Sequence, residues 1–321
     1  MAPAADVTDL FDEIRAACAR VAAAATHVTI DHDRLAAYAD ELRPREPPTP
    51  PAPPPQDGSE ERTAFVVALD TINFGSGWFP HLRKPAGLSG YRTVEAALTE
   101  HARSRPITGP WLRSLDSRTV AALLGQDAHG PAGELMGHYA DALATLGELV
   151  GERADDSFVD LVASAGGDPE SMVRLLDRMP SFHDVHRHPS GPVPLYKRAQ
   201  ITVNDLAREF GGCGPGRFVG LERLTMFADN LVPHVLRIDG VVAFDPHLVA
   251  RIERGDDITA GGPEEIEIRA VGLHAVELLV ARMHTRGRVV TAAEVDSTLW
   301  ERGSGRRYKA EPRHRSRCIF Y

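Results

Sequence analysis

Apolar residues recur every three or four positions along most of the chain, which is the spacing of an amphipathic α-helix. Near the N-terminus this stripe runs from Leu10 to Val21, and a second helix is predicted from Asp33 to about Leu42. Further on, Asp168-Pro169 and the capping-box pair Thr291 and Glu294 mark two more helix starts.

The second half of the chain continues this pattern. Helices are predicted over residues 195–210, over residues 221–227, and from Pro233 to Gly240. The apolar run at residues 64–69 is too short for its periodicity to separate helix from strand. With roughly a dozen helical stripes and no convincing alternating strand series, the sequence predicts an all-α fold, or nearly so.

Proline divides this pattern, because eight of the 24 prolines fall within residues 43–58. That stretch has no apolar periodicity and predicts a polyproline-II linker or insertion on the surface. It separates an N-terminal helical segment, residues 1–42, which we expect to pack on the main helical domain of residues 59–321. A docking site for a partner domain is the less favoured interpretation of the same stretch.

Composition narrows the class of protein. The formal charge of −9 disfavours a general binder of polyanions, so no stable nucleic-acid partner is expected. Three separated cysteines without a C-x-x-C pair argue against zinc, iron–sulfur or disulfide frameworks and favour a reducing cytoplasm. Neither an export signal nor an apolar run long enough to span a membrane is visible.

Two segments carry side chains that could take part in catalysis or bind a metal. His183, His186 and His188 lie within six residues, which suggests either a solvated loop or, less favoured, a metal site. Asp229 lies at the predicted junction between two helices, where it either caps the second helix or presents a carboxylate to a cleft.

Other segments are candidates for binding anions. Residues 196–200 combine an aromatic ring, two cations and an amide, and could hold a phosphate or form an ordinary exposed helix face. The glycine-rich residues 210–216 are more typical of a turn than of a phosphate loop. Residues 264–269 alternate carboxylates with an arginine, and residues 302–317 carry seven basic side chains.

Seven separated motifs, in order along the chain, resemble the queuosine salvage family, whose members hydrolyse queuosine 5′-phosphate to release queuine. They are residues 69–74 (LDTINF), 195–201 (LYKRAQI), 224–229 (LTMFAD), 232–236 (VPHVL), 265–269 (EIEIR), 275–278 (AVEL) and 317–321 (RCIFY). The resemblance implies a helical catalytic domain similar in architecture to helix-hairpin-helix DNA glycosylases. It also implies an N-glycosidic hydrolase with a small-molecule nucleotide substrate.

The resemblance further implies roles for particular residues. Asp229 is expected to be the catalytic carboxylate, and Lys197 with Arg198 to hold the 5′-phosphate, without a metal or other cofactor. Candidates for the base and ribose pocket are the remaining matched side chains, namely Asn73, Phe74, Phe227, Glu267 and Tyr321.

The chain departs from the family pattern at Asn230, at His234 and at Glu301-Arg302. The departures at Asn230 and Glu301 keep open a non-catalytic nucleotide-binding or docking protein. A second enzymatic interpretation is a DNA or RNA repair glycosylase, which the acidic charge disfavours.

Overall fold

The computed structural model describes residues 9–44 and 59–321, and helices account for 62% of it. The predicted all-α class is therefore confirmed. The α-helices are α1 (Leu10–Ala24), α2 (His32–Glu41), α3 (Ser59–Thr71), α4 (Gly90–Ser104), α5 (Gly109–Arg113), α6 (Ser117–Leu123), α7 (Gly130–Ala154), α8 (Phe158–Ala163), α9 (Pro169–Leu176), α10 (Lys197–Glu209), α11 (Leu231–Ile238), α12 (Pro246–Arg254), α13 (Pro263–Thr285), α14 (Ala292–Gly303) and α15 (Arg306–Ala310).

Local capping residues determine where many of these helices begin. The Asp168 side chain accepts a hydrogen bond from the Ser171 amide at the start of α9, as the sequence predicts. Thr291 and Glu294 form the predicted reciprocal capping box at the start of α14. The ambiguous apolar run at residues 64–69 lies inside α3. The predicted linker and docking segment lie outside the described residues, apart from residues 43 and 44.

Two short antiparallel strand pairs accompany the helices. Strand β1 (Val28–Ile30) pairs with β4 (Val242–Phe244), and β2 (Val185–His188) pairs with β3 (Gly191–Pro194). Each strand has only three or four residues, which is too short for an alternating pattern to be recognised in the sequence.

The predicted helix over residues 221–227 is wrong. Only residues 221–223 form a single 3₁₀ turn, and residues 224–229 have no regular structure. Side chains from elsewhere satisfy the backbone there: Gln200 Oε1 accepts from the Thr225 amide at 2.9 Å, and Asp296 Oδ1 accepts from the Phe227 amide at 3.1 Å. These tertiary hydrogen bonds replace the ones that a helix would form.

Two long helices organise the core. Helix α13 is buried along most of its length and packs against α1, α2, α11 and α14, while α7 packs against α3, α5, α6 and α8. Helix α10 packs on α3 and α9, which brings its N-terminus next to the loop that follows α3. Within residues 9–44 and 59–321, no helix is both long and apolar enough to cross a membrane.

Candidate active site

Asp229 lies two residues before Leu231, the first residue of α11, and is partly exposed. Its Oδ1 atom accepts hydrogen bonds from the Leu231 and Val232 amides at 2.7 and 3.2 Å. The positive end of the helix dipole stabilises a carboxylate in this position. Asp229 therefore caps α11 with one oxygen, and the hydrogen bonds found in the described part of the chain leave Oδ2 unused.

The backbone on either side of Asp229 is held by distant groups. The Phe227 amide donates to Asp296 Oδ1, and Arg269 Nε donates to the Ala228 carbonyl at 2.9 Å. Asn230 Nδ2 donates to Ser76 Oγ at 3.0 Å and to the His314 carbonyl at 3.2 Å. Helices α13 and α14, the loop after α3 and the C-terminal segment thus all meet at this aspartate.

The arginine that holds Ala228 is itself part of a buried ionic network. Arg269 Nη1 and Nη2 donate to Asp184 Oδ1 and Oδ2 at 3.0 and 2.7 Å, a two-point contact. Asp184 also lies 2.7 Å from His186 Nε2 and accepts from the Lys197 amide at 3.0 Å. Although burial raises the pKa of Asp184, Arg269 and His186 outweigh that effect and hold the pKa well below its usual range.

This network corrects the interpretation of the histidine cluster as a solvated loop. His186 and His188 lie on β2 and are buried. His186 Nε2 contacts Asp184, and His188 Nδ1 lies 2.8 Å from Ser190 Oγ, so both rings have polar partners inside the protein. Only His183 is exposed, where it contacts Asp177 at 2.8 Å. Within the residues that the structure describes, no group of three or more His, Cys, Asp or Glu side chains is arranged to hold a metal ion.

Lys197 begins α10 and is buried, with only 5% of its surface exposed. Its Nζ atom donates to the Asn73 carbonyl at 3.3 Å. Burial lowers the pKa of Lys197; of the carboxylates that oppose this, Asp229 has the strongest effect, before Asp70 and Asp296. The predicted phosphate ligand thus lies among carboxylates, and it is one of the cations beside Asp229.

Arg198 points in a different direction from Lys197. Its buried guanidinium lies between the rings of Phe74 and Phe182, at 4.7 and 4.5 Å from their centroids. It donates to the carbonyls of Thr71, Ser181 and Ile319, the last at 2.9 Å. These hydrogen bonds join the end of α3, the turn that precedes β2 and the C-terminal segment.

The predicted base-pocket residues divide into two groups. Phe74 is buried in edge-to-face contact with Tyr139, and Glu267 Oε2 accepts from the Thr26, His27 and Val28 amides at 3.0, 2.6 and 3.1 Å. Both side chains are therefore engaged by the core. The others adjoin Asp229 or its neighbours, namely Asn73, Phe227 and Tyr321.

Tyr321 connects the C-terminal segment to the site. Its ring lies under Arg269, 4.7 Å from the guanidinium carbon, and its hydroxyl lies 3.3 Å from His314 Nε2. The Gly75 amide donates to its carbonyl at 2.9 Å. The C-terminal segment thus contacts the loop after α3 and Arg269, which holds the Ala228 carbonyl next to Asp229.

Sequence reasoning missed two residues of this site. Arg313 is partly buried; burial lowers its pKa, and Asp229 is the group that most strongly opposes this. Asp296 accepts from Phe227 and interacts with Asp229. The basic run over residues 302–317 indicates cations in this segment, but it does not show which of them lies near Asp229. The sequence of α14 likewise does not distinguish Asp296 from an exposed helical aspartate.

A separate cavity of about 270 Å³ lies beside the C-terminal segment, and Asp229 does not line it. Its walls include Trp78, Glu134, His138, His186 and Phe320.

Comparison with known proteins agrees with the motifs. The queuosine salvage protein family matches residues 53–321. A Sphaerobacter thermophilus protein named queuosine 5′-phosphate N-glycosylase/hydrolase is 35% identical over 312 residues, covering 94% of this chain and 95% of that protein. Proteins of the same name from Dictyostelium discoideum and Mus musculus are 29% and 26% identical, covering 82% and 83% of this chain and 79% and 84% of those proteins. The chain therefore belongs to the queuosine salvage protein family.

Proposed function

We propose that this chain hydrolyses the N-glycosidic bond of queuosine 5′-phosphate and releases queuine. The observation that carries this proposal is the partly exposed Asp229 carboxylate, held at the start of α11 with Lys197 and Arg313 beside it. Membership of the queuosine salvage family and relatives named for this activity support it. We further propose that residues 59–321 form the catalytic domain and that the reaction takes place in the cytoplasm.

The reaction needs an anion near the sugar. As the bond from C1′ to the base nitrogen breaks, its electron pair leaves with the base, which takes up a proton, and positive charge develops on the ribose. Asp229 stabilises that charge and accepts a proton from the water that attacks C1′. The products are queuine and ribose 5-phosphate, and the proposed steps use the aspartate and water without a metal.

The phosphate requires cations close to Asp229. Lys197 keeps two N–H groups beyond its contact with the Asn73 carbonyl, and Arg313 makes no ion pair with the residues described. We assign these two residues to the 5′-phosphate, where remote binding energy orients the scissile bond. The sequence analysis also predicts Arg198 as a phosphate ligand. In this proposal Arg198 instead holds the C-terminal segment in place through its hydrogen bond to the Ile319 carbonyl.

The base is assigned to the surface next to Asp229. The Asn73 carbonyl accepts from Lys197, and Phe227 precedes Asp229 by two residues. The ring of Tyr321 packs on Arg269, which holds the Ala228 carbonyl. The amide reads a polar edge, and the aromatic rings stack on the deazapurine. Phe74 and Glu267 support this surface from the core.

The decisive experiment compares wild type with Asp229→Asn. Asparagine keeps the capping contact, so the variant should fold, while loss of the carboxylate should lower kcat at least about 1,000-fold. Release of queuine from queuosine 5′-phosphate is followed by mass spectrometry, and nucleotide binding by calorimetry. Asp116→Asn is the matched control, because Asp116 caps α6 through the Thr119 amide at 2.8 Å.

Four outcomes are informative. Loss of turnover with retained binding in Asp229→Asn alone supports the proposal. Unchanged turnover in that variant contradicts the catalytic assignment. Binding by wild type without any product would favour a non-catalytic nucleotide-binding protein, and tight, salt-sensitive binding of duplex DNA or RNA would favour a repair glycosylase.

A further inference from the structure

A second carboxyl group lies behind the catalytic segment. Asp296 is on α14, 5% exposed, and its Oδ1 atom accepts the Phe227 amide hydrogen at 3.1 Å. Phe227 precedes Asp229 by two residues in the stretch that has no regular structure. No helical hydrogen bond holds this amide, so the carboxyl of Asp296 is its partner.

The surroundings of Asp296 act on its pKa in opposite directions. Asp229 raises the pKa of Asp296 and Lys197 lowers it, while Lys197 also interacts with Asp70 and Asp229. Burial and the neighbouring Asp229 raise the pKa of Asp296 well above its usual range, although the Phe227 amide and Lys197 lower it. Burial and a like charge both disfavour the ionised form of a carboxyl, which is why this pKa is raised.

We propose that Asp296 is a positioning residue that fixes the Phe227 amide, and with it the chain leading to Asp229. This inference rests on the proposed function, since it explains how the segment that carries the catalytic carboxylate is held in place. Asp296 touches neither the sugar nor the attacking water in this scheme.

The proposal makes asparagine a good substitute and alanine a poor one. Asparagine offers a carbonyl oxygen to the Phe227 amide and is uncharged at every pH. Alanine removes the acceptor, leaves a buried N–H without a partner, and frees the segment that carries Asp229. A displacement of about 1 Å in a catalytic group lowers turnover on the order of 100-fold.

The test measures kcat, KM and the pH dependence of kcat for both variants. We expect Asp296→Asn to stay within about threefold of wild type, with the same acid limb in its pH profile. Asp296→Ala should lose kcat about 100-fold with little change in KM. Val295→Ala, a buried truncation next to it on α14, controls for general loss of stability and should keep kcat.

Hydrogen exchange over residues 224–230 gives a readout that does not depend on turnover. Asp296→Ala should speed exchange of the Phe227 amide, while Asp296→Asn and Val295→Ala should not. The proposal is overturned if Asp296→Asn loses as much activity as Asp229→Asn or loses the acid limb, or if Asp296→Ala keeps its kcat or its protected amide. A wild-type protein that releases no queuine would instead refute the proposed function, whatever the exchange result.

Discussion

The ion pair between Asp184 and Arg269 offers a sharp test of how this fold is held together. Both side chains are almost completely buried, at 3% and 0% exposure, and two hydrogen bonds of 2.7 and 3.0 Å join them. Asp184→Asn keeps the volume but removes the charge, and it turns an amide N–H toward the donors of Arg269. The guanidinium then remains buried without its main counter-charge.

The size of the effect follows from burial. Removing one partner of a buried pair costs about 3–5 kcal/mol, because the other charge cannot return to water. Glu265 Oε1, 3.5 Å from Arg269 Nη1, offsets part of this cost, so we expect a loss of about 3 kcal/mol in the free energy of unfolding. Activity should fall too, because Arg269 Nε holds the Ala228 carbonyl next to Asp229.

Urea denaturation of both proteins at pH 7 measures this loss, and repeating it at lower pH tests the charge. The folded-state pKa of Asp184 is lowered, so its contribution is complete above its unfolded pKa of about 4 and disappears as pH falls below that value. The difference between wild type and variant should therefore shrink in acid.

Asp156→Asn is the matched control for this experiment. Asp156 contacts Arg113 at 2.8 Å, a similar distance, but both partners are 36% exposed. This substitution should change stability very little. Equal losses in the two variants would refute the argument that burial sets the value of the pair.

Three further predictions follow from the same structure. Arg313→Gln should raise KM for queuosine 5′-phosphate at least about tenfold and change hydrolysis of the unphosphorylated nucleoside far less, as measured by steady-state kinetics. Arg315→Gln, at an exposed position, is the control. Equal effects of Arg313→Gln on the nucleotide and the nucleoside would contradict the phosphate role. Glu267→Leu should lower the free energy of unfolding by about 3 kcal/mol in a denaturation experiment, because three backbone amides lose their acceptor. A variant of unchanged stability with a raised KM would instead support a role for Glu267 in binding the base. Burial lowers the pKa of His234 to about 4, so below about pH 6.5 the unfolded chain binds more protons than the folded protein, and stability falls as the pH drops from about 6.5 to 4. His234→Gln should remove about 3 kcal/mol of that fall, measured by thermal denaturation at several pH values. An unchanged dependence of stability on acid pH would refute this prediction.

Much of the helical framework is predictable because its signals are local. Asp168 and Glu294 act within three residues of their own positions, so capping can be recognised in the printed sequence. Apolar stripes likewise report which side of a helix is buried. The order of the seven motifs was enough to predict the family, which the family match confirms.

The candidate site depends on contacts that no local pattern records. The predicted helix over residues 221–227 fails because Gln200 and Asp296, 25 and 69 positions away, satisfy its amides. Lys197 and Arg198 are neighbours in sequence, yet the Lys197 side chain donates to the Asn73 carbonyl and that of Arg198 to the Ile319 carbonyl in the C-terminal segment.

The sequence by itself determined the helical class, several helix starts and the family, and it made Asp229 the leading candidate for the catalytic residue. Only the tertiary structure decided which charges surround Asp229, because buried polar groups must find partners wherever the folded chain brings them. That is why Arg313 and Asp296 emerged from the structure, and why His186 belongs to a buried ionic network with Asp184 and Arg269.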